Sequence, residues 1–178
     1  MERFESTVRV NPARLLGSVD DERVKAIAYG AVKYTMEKAS NDKSVVFDWD
    51  KALCFEGKSG PYIHYCYARI QSLLRRCPEL DLKNASYEEC GIHEYMVAKL
   101  IAEFPNIVGR ATIIMSPHLI ANYLYELAKA FSSFYQKCSI LNLPNDELRV
   151  ARIKLVLAVK QVIENSFYLL GIETIDRM

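Results

Sequence analysis

The amino-acid sequence predicts an all-α protein, an antiparallel bundle of about six helices. Only 7 glycines and 6 prolines occur among 178 residues, and most of them fall between the periodic segments of the chain. Apolar residues recur at intervals of three and four, which is the spacing of one helix face. No alternation of strands with helices and no internal repeat is found. The connections between the predicted helices are short, and short connections favour antiparallel neighbours.

The first half of the chain predicts two long helices joined by an ordered connector. The first helix begins near Ser18, a residue type suited to an N-cap, and ends at the polar stretch 40–44. Residues 45–60 form the connector, with a short strand and one helical turn expected. The second helix has Pro61 at its first position, where the N–H that proline lacks would have no hydrogen-bond partner within the helix. The Cys77–Pro78 step then ends it, because a residue before proline is driven out of the helical region.

The second half predicts four more helices. A capping box at Ser86–Glu89 begins the third, and Pro105 ends it and opens the fourth. The step Ser116–Pro117 repeats a cap followed by proline and begins the fifth. Asn145 caps the sixth, and Gly171 follows its last apolar position as a natural stop.

Charge and cysteine content exclude several classes of protein. The 23 basic and 22 acidic residues leave a net charge of +1, so any nucleic-acid site must be local rather than a property of bulk charge. Five cysteines and three histidines form no recognised zinc spacing, so no metal site is predicted, and reduced thiols fit the cytoplasm. No apolar stretch is long enough to span a membrane, and no membrane partner is expected.

No catalytic residue is predicted from the pattern. The turn Gly57–Gly60 lacks the preceding glycine of a phosphate-binding loop, and no Glu-x-x-His pair of a di-iron bundle occurs. His64 and Cys66 lie close in sequence, but residues two apart on a helix do not face each other.

Tyrosines are the most informative residues in the sequence. Tyr62, Tyr65 and Arg69 lie three and four residues apart, so they share one face of the second helix. Flat rings beside a guanidinium can stack on unpaired bases, and Arg75 and Arg76 extend this face towards phosphates. The alternative from spacing alone is that these tyrosines are half-buried core residues with wetted hydroxyls.

Seven separated segments occur in this order along the chain: Phe47–Asp50, Phe55–Gly57, Gly60–Arg69, Pro117–Tyr135, Glu147–Arg152, Leu169–Ile172 and Asp176–Met178. Together they resemble arginyl-tRNA synthetases, a class I family. The first three resemble the point in that family where the catalytic domain ends and the anticodon-binding domain begins. The resemblance extends from about Val19 to the last residue, and no single segment would establish it.

The resemblance implies that residues 61–178 are a helical, DALR-type bundle that binds the anticodon loop of arginine-accepting tRNA. Residues 1–60 are then the tail of the catalytic region and a connector. The implied anticodon contacts are Tyr62, Tyr65, Arg69, Tyr135 and Met178, and the further candidates are Arg75, Arg76, His118 and Asn122.

Two of these candidates have a structural alternative. For His118 the structural alternative is preferred, a helix start at which its ring bonds to the backbone, and Asn122 is suited to bracing the bundle.

The catalytic signatures of the family, HIGH and KMSKS, do not occur in these 178 residues. The chain alone is therefore expected to be inactive, with ATP, Mg and arginine bound only in the whole ligase. Its expected partners are the tRNA and the catalytic domain of the same enzyme.

A rival hypothesis is a helical bundle that serves only as a protein–protein docking module. Tyrosines that are clustered and face solvent beside Met178 favour RNA binding, whereas dispersed or buried tyrosines favour docking.

Overall fold

The computed structural model describes residues 21–77 and 83–178, and within them the chain is helical with no strand. None of the helices in these ranges is both long and apolar enough to cross a membrane. The all-α prediction is confirmed, although the predicted start at Ser18 and the proline at 78 lie outside the described residues. The helices are α1 (Asp21–Glu37), α2 (Trp49–Ala52), α3 (Gly60–Arg75), α4 (Ile92–Ile113), α5 (His118–Lys137) and α6 (Asp146–Leu169).

Several helix ends follow the predicted chemistry. The Ser59 hydroxyl caps α3 by accepting from the backbone N–H of Tyr62 at 3.2 Å, and Pro61 lies in the first turn. Asn145 caps α6 by accepting from the N–H of Leu148 at 3.1 Å. Gly171 follows α6 with φ +61°, the left-handed conformation of a C-terminal stop. The connector 45–60 contains the short helix α2 and no strand.

Two predicted boundaries in the second half are wrong. Ser86 does not begin a helix. In a capping box its backbone N–H would bond to the Glu89 side chain, but here it donates to the Glu147 carbonyl at 3.3 Å. Helix α4 begins at Ile92, where the Glu94 carboxylate accepts from the N–H of Gly91 at 3.1 Å. Pro105 lies inside α4 and neither ends it nor begins another helix. Apolar side chains on both sides of the proline pack on the core, and that packing outweighs the lost hydrogen bond.

Helix α5 is the centre of the bundle. It contacts α1, α3, α4 and α6, and its Phe131 and Phe134 are completely buried. The Tyr123 hydroxyl donates to the Leu100 carbonyl at 2.9 Å, and Ser133 lies 3.3 Å from His93, so α4 and α5 run antiparallel. Because this aromatic core is well packed, it holds the last turn of α5 rigidly in place.

The C-terminal segment, residues 171–178, runs along α3 towards the end of that helix. His64 Nε2 lies 2.9 Å from the Glu173 carbonyl, and Gln71 Nε2 donates to Asp176 Oδ1 at 2.8 Å. Ile175 is buried in a second cluster formed mainly by α1. The segment is thus held between α1 and α3, and its last two residues reach the C-terminal turns of α3.

Candidate nucleic-acid interface

An open cleft of about 370 Å³ lies where the last turns of α3 and α5 meet the C-terminal segment. We call it the tyrosine cleft. Its walls come from three parts of the chain that are far apart in sequence, so the sequence alone does not predict that they meet. The lining residues are Tyr65, Ala68, Arg69, Ser72, Arg75, Arg76, Tyr135, Arg177 and Met178.

A guanidinium between two tyrosine rings is the central feature of the tyrosine cleft. The Arg69 guanidinium carbon lies 4.6 Å from the Tyr65 ring centroid and 5.0 Å from that of Tyr135. Arg69 Nη2 also donates to the Tyr65 hydroxyl at 2.7 Å. Both rings are within the range of a cation–π contact, and Tyr65 remains 40% exposed. The stack therefore presents flat π-surfaces and a fixed cation to the solvent-filled cleft.

The charge on the cleft walls is positive. Arg75, Arg76 and Arg177 line it together with Arg69, and no acidic side chain is among the lining residues. Arg75 Nη1 donates to the Asp176 carbonyl at 3.3 Å, which ties this cation to the C-terminal segment. Four guanidiniums in one concave site attract an anion even in a chain with a net charge of +1.

Tyr62 lies beside the cleft but does not line it. Its hydroxyl donates to Ser132 Oγ at 3.2 Å, and its ring centroid is 5.7 Å from that of Tyr125. Burial raises the pKa of the Tyr62 phenol, so the group stays neutral over the physiological range. Lys58 Nζ lies 5.2 Å from the Tyr125 centroid, so an aromatic row continues from the cleft along the α3–α5 seam to a lysine.

His118 and Asn122 lie at the opposite end of α5 from Tyr135, roughly 20–25 Å away along the helix axis. Asn122 Nδ2 donates to the His118 carbonyl at 2.8 Å and to the Lys38 carbonyl at 3.3 Å, which braces α5 against the end of α1. His118 Nδ1 is buried without a hydrogen-bond partner, so the backbone bond expected for this ring is not formed at that atom. The structure does not bring these two residues to the tyrosine cleft.

Sequence reasoning did not single out Arg177 or Ser72. Ser72 lies three residues after Arg69, on the same helix face, and the helical spacing would have identified it. Arg177 belongs to a terminal motif that the resemblance includes, but only the fold shows that it meets α3. Within the described residues no group of three or more histidine, cysteine or acidic side chains is placed to hold a metal ion.

Comparison with known proteins points to one family. The family model described as the DALR anticodon binding domain matches residues 63–178. Arginine–tRNA ligase from Pyrococcus abyssi is 42% identical over 162 residues, which are 89% of this chain and 26% of that protein. The ligase from Clostridium beijerinckii is 39% identical over 162 residues, or 89% of this chain and 28% of that protein.

Solved structures agree with the sequence relatives. The arginyl-tRNA synthetase of Thermus thermophilus superposes with a TM-score of 0.92 at 27% identity, covering 99% of this chain and 31% of that one. The enzyme from Plasmodium falciparum gives a TM-score of 0.84 at 27% identity, covering 99% of this chain and 32% of that one. The chain therefore spans about a quarter to a third of these proteins. Because the family model covers most of the chain and the fold agrees, the resemblance is confirmed, and the chain belongs to the DALR anticodon-binding domain family.

Proposed function

We propose that the tyrosine cleft binds the anticodon loop of arginine-accepting tRNA as part of an arginine–tRNA ligase. The observation that carries the proposal is the position of Arg69 between Tyr65 and Tyr135 in a cleft that three further arginines and Met178 complete.

The chemistry of the cleft suits an unpaired RNA loop. Splayed bases stack on tyrosine rings and guanidinium planes, and the edges of those bases remain free for reading. The other guanidiniums bind phosphate oxygens through paired N–H donors. Tyr62 would extend the stacking surface along the α3–α5 seam, because it packs beside Tyr125 at the border of the cleft.

In the whole protein, we assign residues 1–60 to the tail of the catalytic region and residues 61–178 to anticodon binding. ATP with Mg and arginine would bind in the catalytic domain, which is the second partner of this chain, and the reaction would take place in the cytoplasm. The 178 residues alone would hold the tRNA without charging it. His118 and Asn122, distant from the cleft, would contact the tRNA only outside the anticodon loop.

The test is binding of the chain to an RNA hairpin that carries an arginine anticodon, beside the same hairpin with the anticodon changed. Tyr65→Ala and Tyr135→Ala are compared with Tyr168→Ala, which removes an 85% exposed tyrosine from the end of α6. Loss of one stacked base costs about 1–3 kcal/mol, so each cleft variant is expected to bind about fivefold to a hundredfold more weakly. The salt concentration is held fixed, because phosphate contacts make the affinity depend on salt.

Equal binding of both hairpins by the wild type would reject anticodon recognition. Loss of affinity in all three variants alike would instead indicate a general effect of tyrosine removal. The proposal requires that the Tyr168→Ala variant keep wild-type affinity and that all variants keep the helical circular dichroism of the wild type.

A further inference from the structure

A second cavity adjoins the tyrosine cleft. It has a volume of about 240 Å³ and lies between the end of α3, the end of α5 and the loop that leads to α6. We call it the loop cavity. It shares two walls, Arg76 and Tyr135, with the tyrosine cleft, so the two spaces adjoin at these side chains. The lining residues are Leu73, Arg76, Tyr135, Cys138, Ser139, Ile140, Leu141 and Asn142.

The wall of the loop cavity is held in place from behind. Arg152 Nη1 donates to the Ser139 carbonyl at 2.6 Å, and its other nitrogens bind the buried Glu94 carboxylate at 2.7 and 2.8 Å. Ser139 Oγ donates to the Asn142 carbonyl at 3.0 Å, which closes the loop on itself. Ile140 is buried beneath the loop. Because these bonds already fix the cavity wall, ligand binding does not incur the entropic cost of ordering the loop.

The chemistry of the cavity fits one nucleotide. Leu141 offers apolar surface to the flat face of a base, and Tyr135 offers a ring. Leu73 is 2% exposed and lies behind the cavity wall. Asn142 is exposed, and its side-chain amide carries both donors and an acceptor, which is the pattern that pairs with a base edge. Arg76 supplies the cation for the phosphate at the entrance.

The shared walls identify the occupant. An RNA strand in the tyrosine cleft passes Arg76 and Tyr135 to reach the loop cavity, so successive nucleotides of one strand can fill the two spaces. We propose that the loop cavity binds a second unpaired nucleotide of the same RNA loop and that Asn142 reads the edge of its base. This inference rests on the function proposed above for the cleft.

The experiment uses hairpins with an arginine anticodon that each lack the base at one loop position. The wild-type chain, Asn142→Ala and the control Asn106→Ala, which changes an exposed asparagine on α4 outside both cavities, are titrated with every hairpin. At one position, removal of the base is expected to weaken binding by the wild type about tenfold. At the same position it is expected to weaken binding by the Asn142→Ala variant clearly less, because the variant has already lost the contact with the base edge. The Asn106→Ala variant is expected to follow the wild type at every position.

Three results would overturn the proposal. If N142A binds every hairpin as the wild type does, while Y135A loses affinity, the loop cavity is not a base site and the function of the tyrosine cleft stands. An equal loss by N142A on all hairpins, with no position at which base removal costs the variant less than the wild type, would assign Asn142 a structural role. Failure of the wild type to bind the intact hairpin would reject both the cleft function and this inference.

Discussion

The stack around Arg69 uses the shape of the side chain as well as its charge. The planar Arg69 guanidinium lies within cation–π distance of both tyrosine rings and still donates an N–H to the Tyr65 hydroxyl. Lysine would keep the positive charge but has neither the plane nor the fork of donors. The two rings would then lose the element that holds them at a fixed separation.

We therefore predict that Arg69→Lys weakens binding of the arginine-anticodon hairpin by about tenfold while leaving the salt dependence of binding unchanged. The measurement is a titration at several salt concentrations, with Arg110→Lys on the exposed face of α4 as the matched control. Equal affinity of R69K and the wild type would show that binding depends on the charge at position 69 and not on the planar shape of the guanidinium.

Met115 is the one non-glycine residue with a positive φ, 47°, in the described part of the chain. It lies just after α4, where the N–H of Ser116 donates to the Ala111 carbonyl at 2.9 Å. Gly171 has the same role after α6, with the N–H of Ile172 bonded to the Phe167 carbonyl at 2.8 Å. Both are Schellman stops, which normally use glycine because an L side chain strains the left-handed conformation.

Met115→Gly is expected to raise the free energy of unfolding by about 0.5 kcal/mol, because relief of strain exceeds the entropy that glycine adds to the unfolded chain. The side chain lost is 80% exposed, so little packing disappears with it. Gly171→Ala, measured beside it by urea unfolding, is expected to lower the same quantity by about 1 kcal/mol. A decrease for both variants would mean that the Met115 side chain packs more than its exposure indicates.

At the scale of helices, the start at Asn145 was predicted correctly, whereas the start at Ser86 and the break at Pro105 were wrong. The cap at Asn145 uses atoms within three residues of each other, so the sequence contains the whole interaction. The passage of α4 through Pro105 depends instead on Ile101, Phe104 and Ile107 packing against the rest of the bundle. Helix propensity includes the free-energy cost of a proline inside a helix but not the stabilisation from burying these three side chains. The prediction of two separate helices was wrong for that reason.

A buried ion pair joins α4 to α6 and to the loop behind the second cavity. Glu94 is 3% exposed and bonds to Arg152 at 2.7 Å. Burial favours the neutral form of Glu94, but hydrogen bonds from backbone N–H groups and the Arg152 charge outweigh it and hold the pKa of this carboxyl below its usual value. A lowered pKa in the folded state means that the ionised group stabilises the fold above the ordinary value of 4.5.

Glu94→Gln is expected to lower the free energy of unfolding at pH 7 by about 3 kcal/mol, because the Arg152 charge is left buried and unpaired. The difference from the wild type should narrow as the pH falls below 4.5, because the Glu94 carboxyl then takes up a proton in the unfolded chain and, at lower pH, in the folded one. Urea unfolding between pH 7 and pH 3 measures both effects. Asp146→Asn, which removes the charge of the exposed partner in the pair with Arg149, is the control and should change stability by less than about 1 kcal/mol. A constant difference across this range would assign the contribution of Glu94 to hydrogen bonding alone.

At the scale of the whole molecule, the tyrosine cleft exists because the C-terminal segment returns to α3. The spacing of Tyr65 and Arg69 placed both on one helix face, so this half of the site could be predicted. The contacts of Glu173 with His64 and of Asp176 with Gln71 join residues more than a hundred positions apart. Such long-range contacts produce no periodic pattern in the sequence. Arg177 was missed because its position depends on them.

The last two residues are therefore expected to contribute to binding much more than to stability. A chain ending at Asp176 keeps the buried Ile172 and Ile175, so its free energy of unfolding should stay within about 1 kcal/mol of the wild type. Without Arg177 and Met178, we expect about tenfold weaker binding of the arginine-anticodon hairpin and a salt slope reduced by roughly one. Gln71→Ala removes the bond to the Asp176 carboxylate but retains both terminal residues and the bond from Arg75, so it should weaken binding less and leave the slope unchanged. Wild-type affinity in the shortened chain would remove the C-terminal segment from the binding site and limit the site to α3 and α5.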